Sequence, residues 1–474
     1  MSSEPTGTNI EGEAPDAEPV VETDEATLTE DAELERTLGL GGGLAIGIGT
    51  MIGAGIFVFP GLAGAEVGTA ATASFAIGGL VALLVALPTS ELATAMPKSG
   101  GGYYFVSRGL GTLAGTVIGL SLWLGLVFAT AFYLVGLGFY ALDALAQVGV
   151  TVGTSPGLIV SVIAVLAGVG FTVLNVTGTE NAAKLQNGIV ALLLSMLVVF
   201  LAFGMLDALG IVDAGTPPGE AQDVWSVVPI MSVAALVFTS YLGFAQVATV
   251  AGEMKNPGRN LPLAMIGSVL VVTVLYVLTI FVATSVFTQD GLAIAGETAM
   301  VEVGRELLGS PGALVIVVGG LLATMSSANA SILSTSRAIY GVSKDALLPR
   351  WASRINLTYG TPHVALGLAG GPVIVLAATR QVQLLAEVAS FLHLVMYGLM
   401  CVALVAIRRD RPDWYDPEFR VPGGAVIPVV GALASFGLIA FMDPLSIAIG
   451  LAVIVLTAGW YFYYARDVKL KGAL

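Results

Sequence analysis

Side chains suited to bond chemistry are scarce in this chain. Of its 474 residues two are His and one is Cys. The order of residues holds no His-Glu-x-x-His, no Gly-x-Ser-x-Gly and no cluster with metal-ligand spacing, so a membrane enzyme is disfavoured. Three stretches remain. "ATMSSANA" (Ala323–Ala330) carries two successive hydroxyls, oxygens that suit a hard cation. "FTSYLGF" (Phe238–Phe244) sets a Thr–Ser–Tyr cluster before a glycine. "GIGTMIGAGIFVFPG" (Gly47–Gly61) places five glycines in fifteen positions. Gly47, Gly49 and Gly53 approximate a dinucleotide fingerprint, with Glu66 near the expected acid, but the third glycine comes one place late.

That fingerprint also needs a strand, a turn and a helix in a soluble unit, and the composition forbids one. The chain is 56% hydrophobic and 11% charged, with mean hydropathy +0.90; soluble domains carry about 25% charge. A span of about 20 apolar residues crosses about 30 Å of hydrocarbon. Twelve such runs are read: 40–63, 69–95, 112–141, 157–176, 184–207, 228–251, 262–288, 311–341, 363–379, 384–407, 425–442 and 444–465. The chain is therefore expected to be an all-α polytopic membrane protein. With the N-terminus inside, all but Arg305 and Arg380 of the 19 Lys and Arg fall on the inner side, the bias expected of cytoplasmic loops. Both termini are then cytoplasmic, in a cell-membrane protein.

Residues 1–36 hold twelve acids and one base of a net charge of −14. This tail reads as a disordered acidic cytoplasmic segment, and 37–474 as the membrane domain. The acidic, Lys-poor composition suits a salt-rich cytoplasm. There is no basic patch for nucleic acid, and the single Cys401 excludes an internal disulfide.

Glycine costs a helix about 1 kcal/mol against alanine, so the first span needs a reason for its glycines. Close helix packing is one, and Gly49-x-x-x-Gly53 fits it. A broken helix is the other: freed backbone facing a ligand is tolerated at mid-membrane only where it is buried or lines a cavity. The sixth span offers a second break at Phe238–Phe244. The first and sixth spans cross in opposite directions, the parity of an inverted repeat, with repeat one over 40–207, repeat two over 228–407 and two extra helices over 425–465.

Five motifs carry a resemblance over roughly 36–470. They are "IGAGIF" (Ile52–Phe57) with "PG" at Pro60–Gly61, "SELATAMPKSGGGYYF" (Ser90–Phe105), "GEMKNPGRNLP" (Gly252–Pro262), "SRAIYGVSKDALLP" (Ser336–Pro349) and "RRDRPDWYDPEFRVP" (Arg408–Pro422). The chain resembles the amino acid–polyamine–organocation superfamily, and within it an amino acid permease. The resemblance implies a five-plus-five inverted repeat with broken helices 1 and 6, and a secondary transporter working by alternating access. It implies that N–H groups of Ala54, Gly55 and Ile56 hold a carboxylate and that carbonyls of Met51, Phe238, Thr239 and Leu242 face an ammonium group. Ser121, Trp123, Thr130, Asn329 and Ser331 are candidate pocket liners. No buried acid or base among them calls for a charged substrate side chain, so a neutral amino acid is favoured. Gly55→Leu is expected to abolish binding with folding intact.

No organic cofactor is implied. A Na⁺ site between helices 1 and 8 falls, by resemblance, on carbonyls of Gly49, Ile52 and Ala323 and hydroxyls of Ser326 and Ser327. The alternative reading of those serines is back-bonding to the preceding turn. Some proton-coupled relatives carry a Lys in helix 5; Leu193 stands near that place, and Lys184 lies too near the inner end. His393 is the other mid-membrane titrating group, more simply read as a hydrogen-bonded helix residue. Glu91 and Glu253 sit near the inner mouth as ion-pair or capping groups. Coupling by Na⁺ or H⁺, substrate exchange, inorganic cation–chloride cotransport and a transporter-like sensor all stay open, as does the oligomeric state.

Overall fold

The computed structural model describes residues 36, 38–96, 101–150, 155–177, 182–212, 225–356 and 361–468. The tail 1–35, Lys98, Lys469, Lys471 and the side chain of Lys184 lie outside the described residues. Each of the twelve predicted runs holds a helix. Nine helical segments among the described residues are long and apolar enough to cross a bilayer, and Leu40–Met51, His363–Ala377 and Val426–Ile439 are shorter apolar helices. The chain is an all-α polytopic membrane protein, and the extended pairing described is a single parallel bridge, Leu38 with Met254.

Span 1 is Leu40–Met51 followed by Ala54–Val67; span 2 is Ala71–Ala95, span 3 Thr112–Gln147, span 4 Pro156–Thr177 and span 5 Ala182–Ala208. Span 6 runs from Val227–Val237 through a 3₁₀ turn, Phe238–Tyr241, to Phe244–Thr249; span 7 is Pro257–Val286. Span 8 is the part of Ala299–Lys344 after Gly309, where φ of +67° turns the chain between two helices. Spans 9 to 12 are His363–Ala377, Val382–Asp410, Val426–Ile439 and Pro444–Trp460. Asp443 caps the last span by accepting from the Leu445 N–H at 2.8 Å, with Pro444 at its first position.

Packing follows the repeat. Spans 1 and 6, 2 and 7, 3 and 8, and 4 and 9 pack together, each pair five apart. The other contacts recur with the halves exchanged: span 3 on span 10 and span 8 on span 5, span 1 on span 7 and span 6 on span 2. Because five is odd, counterparts cross in opposite directions. Spans 11 and 12 lie outside this exchange, packed against span 10 and against spans 2 and 3 respectively. The most apolar windows of spans 3 and 10 are 72% buried, whereas that of span 4 is 17% buried, so spans 3 and 10 are central and span 4 presents its surface to lipid.

Glu91, at the end of span 2, is 0% exposed and is fully engaged. Arg408 Nε donates to Oε1 at 2.7 Å, and Arg408 Nη2 and the Tyr415 hydroxyl also bond the carboxylate. The Val421 N–H donates at 2.6 Å. Burial first, and then the Glu91 carboxylate, push the Tyr415 hydroxyl up to about 12, so it stays a donor at neutral pH. This hub ties span 2 to span 10 and to the 411–425 link, the ion-pair role expected of Glu91. Removing one partner of such a pair leaves an uncompensated charge, at about 3–5 kcal/mol. Arg408→Met is therefore expected to lower the melting temperature of the detergent-purified protein sharply. Glu91→Gln/Arg408→Met should recover part of the loss; equal melting of the two variants would refute the ion-pair account.

Candidate functional site

The break in span 1 is two residues long. Ile52 and Gly53 leave helical angles (φ −76°, ψ 83° and φ −126°, ψ −147°). The Ile52 N–H still donates to Ile48 O at 2.8 Å, and the Gly53 N–H turns back to Met51 O at 2.9 Å. A new helix then starts at Ala54 with no side-chain cap. The N–H groups of Ala54, Gly55 and Ile56 are those a helix cannot satisfy by itself, and they carry its positive dipole end.

Glycine at the break serves space as well as conformation. A Cβ on Gly53 would collide with the Ser327 hydroxyl of span 8, and one on Gly55 with the Ser240 hydroxyl of span 6. Both readings of the glycines therefore hold: close packing joins the spans, and the break lies where they meet. The expectation for Gly55→Leu changes accordingly, because that side chain would enter the core contact with Ser240 and disturb folding along with binding.

Span 6 is interrupted differently. Val237, Phe238, Leu242 and Gly243 keep right-handed helical angles, so the chain tightens instead of extending. The Thr50 hydroxyl of span 1 donates to Ile46 O at 2.6 Å and approaches Gly243 O at 3.1 Å, so the two interruptions lie side by side. Carbonyls nearby are claimed by buried tyrosines. Tyr276 donates to Met51 O at 2.6 Å and approaches Ser240 O at 3.3 Å. Tyr397 donates to Leu242 O at 3.1 Å and Tyr140 to Phe57 O at 2.8 Å. Of the four carbonyls expected to face an ammonium group, Met51 already accepts two hydrogen bonds and Leu242 one. Thr239 is 1% exposed and its hydroxyl has no hydrogen-bond partner among the described residues.

Two cavities lie in series. A small one of about 40 Å³ is lined by Gly49, Thr50, Tyr133, Gly243, Ser327 and Ser331, among others. A wide one of about 600 Å³ reaches the end of the bundle that carries Arg108, Arg337 and Lys344. Leu126, Gln246 and Ser334 line both and form the neck between them. The end carrying Arg305 is packed shut, with helix Gln289–Ala295 against Ala54–Val67 and the Gln289 amide donating to Ala65 O at 2.9 Å and Glu66 O at 3.0 Å.

The structure sorts the remaining candidates. Gly49 and Ser327 meet at the small cavity; Ile52, Ala323 and Ser326 are buried but do not line it. Ser331 lines it, whereas Thr130 bonds back to Leu126 O at 2.6 Å. Asn329 accepts from Asn175 at 2.8 Å and so faces span 4. Trp123 packs beside Ile339, Ala365 and Ala369, and Ser121 is buried away from both cavities. His393 sits 2.8 Å from Ala389 O, as read for a hydrogen-bonded helix residue, and Glu253 lines the wide cavity. Sequence reading missed Tyr276, Tyr397 and Tyr140, whose signal was a hydroxyl in mid-span that needs an acceptor. It also missed Glu387, 2% exposed, which accepts from Gln383 at 3.0 Å and the Asp443 N–H at 3.1 Å.

Two substitutions test this geometry. Tyr276→Phe removes the donor to Met51 O and should cost about 1–3 kcal/mol, read as a lowered melting temperature without loss of expression. Gly55→Ala should cost about 1–3 kcal/mol through overpacking, and Gly55→Ala/Ser240→Gly should recover it. Normal melting of Gly55→Ala would mean that Ser240 moves aside freely.

Comparison with known proteins agrees with the geometry. The amino acid permease family model matches residues 38–466. The chain is 29% identical to the branched-chain amino acid permease BcaP of Bacillus subtilis, over 87% of this chain and 89% of that protein. It is 28% identical to the serine/threonine exchanger SteT of the same organism, over 87% and 93%, and 26% identical to its methylthioribose transporter, over 80% and 82%. A broken first span, a cavity beside Gly49 and Thr50 just before the break, and a family match over nearly the whole chain make one conclusion: this is a membrane transporter of the amino acid permease family.

Proposed function

We propose that the protein carries a small or medium neutral amino acid across the cytoplasmic membrane by alternating access. The observation that carries this reading is the asymmetry of access: cavities run from Gly49 and Thr50, just before the break, through the neck to one end of the bundle, whereas at the other end helix Gln289–Ala295 packs on Ala54–Val67. The cation-rich end faces the cytoplasm by the positive-inside rule, which makes this the inward-facing state, with both termini inside. The N–H groups of Ala54, Gly55 and Ile56 hold the carboxylate, as a helix N-terminus suits an anion. Carbonyls of Phe238 and Thr239 take the ammonium group, with Met51 and Leu242 sharing theirs with tyrosines. The unpartnered Thr239 hydroxyl is a polar contact kept for the ligand.

Neutral specificity is supported by the absence of acidic and basic side chains from the lining of the small cavity and by relatives named for branched-chain amino acids, serine and threonine. The coupling ion is Na⁺, held near Gly49 and Ser327 with Ile52, Ala323 and Ser326 behind them. Exchange is the second reading, favoured by the relative named as an exchanger. The test is uptake by proteoliposomes of labelled L-leucine, L-valine, L-serine and L-threonine under inward Na⁺ and, separately, inward H⁺ gradients. Concentrative uptake with Na⁺, lost in Ser327→Ala, is expected. Uptake concentrated only by H⁺ overturns the Na⁺ assignment, and flux that requires internal substrate establishes exchange.

A further inference from the structure

The wide cavity carries more charge than a passage requires. Span 8 lays Ser334, Arg337, Gly341 and Lys344 along it, spaced three, four and three apart on one helical face. Helix Gly101–Leu110 adds Arg108, and the segment after span 6 adds Glu253. Two of the charged lining groups are engaged. The Tyr103 hydroxyl donates to Asp345 at 2.6 Å. Arg108 donates to the Ser107 hydroxyl at 2.8 Å and lies 4.2 Å over the Tyr104 ring. Arg337, Lys344 and Glu253 are different. The ion pairs among the described residues are Arg305–Glu302 and Arg408–Glu91, so none of these three pairs with an oppositely charged group among the described residues. Lys344 only approaches the face of Tyr340, at 5.0 Å.

Unpaired groups of both signs around a cavity of about 600 Å³, within the size range of small-molecule sites, fit a ligand that carries both charges. A simple anion would leave Glu253 unused and repelled. The neck opens one helical turn from Arg337, since Ser334 belongs to both cavities. Any molecule that leaves the small cavity therefore meets Arg337 next.

We propose that the wide cavity is a second binding station for the transported zwitterion, with its carboxylate on Arg337 and Lys344 and its ammonium group on Glu253. The proposal rests on the amino acid reading of the first site. The station is weak because it is open to water, where charge pairs are screened. It holds the substrate between release from the break and escape into solution, or captures it on the way back.

The experiment is equilibrium dialysis of the full-length protein in nanodiscs with tritiated L-leucine and, separately, L-serine. The expected result is two molecules per chain, one tight and one weak, the weak phase fading as salt is raised. Arg337→Gln/Lys344→Gln should raise the weak dissociation constant by at least about tenfold, the size of one lost charge-assisted contact, and Glu253→Gln should weaken the same phase. The tight phase persists in both and reports correct folding. Saturation of the wild type at one molecule per chain overturns the proposal, and so does a weak phase unchanged in the variants. If the double variant loses both phases, Glu253→Gln decides on the same criterion. A wild type that binds neither probe overturns the amino acid reading instead, and the station falls with it.

Discussion

A polar backbone group without a partner is costly in a membrane, and the organisation of this protein follows from that constraint. Breaking a helix at Ile52–Gly53 frees N–H and C=O groups where no lipid can bond them. On the carbonyl side Met51 O accepts from the Tyr276 hydroxyl and the Gly53 N–H, and Ile48 O from the Ile52 N–H. The N–H side, at Ala54, Gly55 and Ile56, is not capped by a side chain. The break is thus satisfied in part: the Met51 carbonyl is doubly bonded within the fold, and the first N–H groups of the new helix lack a side-chain cap.

The same constraint explains the crowding around the break. Bare backbone can be buried only if other spans come close, and they do so where side chains are small. Gly53 admits Ser327 of span 8 and Gly55 admits Ser240 of span 6. Span 1 is thereby locked against spans 6 and 8. The bridge between Leu38 and Met254, with Lys255 N–H donating to Leu38 O at 2.7 Å, joins the segments flanking spans 1 and 6 at the cation-rich end. At the other end the Gln289 amide plugs the carbonyls of Ala65 and Glu66. The two ends are thus held by different elements.

Charge is kept out of the central path and gathered at its mouth. Inside, the buried Glu91 is matched by Arg408, Tyr415 and a backbone N–H, and it works as a strap between spans. In the wide cavity, Arg337, Lys344 and Glu253 make no ion pair among the described residues. The difference is one of desolvation: a buried carboxylate without such partners would be too costly to keep, whereas a charge in an open cavity costs little.

Much of this was legible in the residue order. Twelve apolar runs, the placement of Lys and Arg, and glycines clustered near the middle of the first run determined the span count and the break near Gly53, because hydrophobic length and helix-breaking are properties of the local chain. The expectation of a second interruption was right about its place, and its form, a 3₁₀ turn at Phe238–Tyr241 between two helices, came from the structure, since a hydroxyl-rich stretch weakens a helix without dictating how it yields. Only the tertiary structure decided which hydroxyl meets which carbonyl, that Asn329 turns to Asn175 and away from the cavities, and that Gly55 is filled by Ser240. Each of those facts joins residues far apart in the chain. Local sequence fixes how many polar groups need partners; the distance between spans, set by packing, fixes which partners they find.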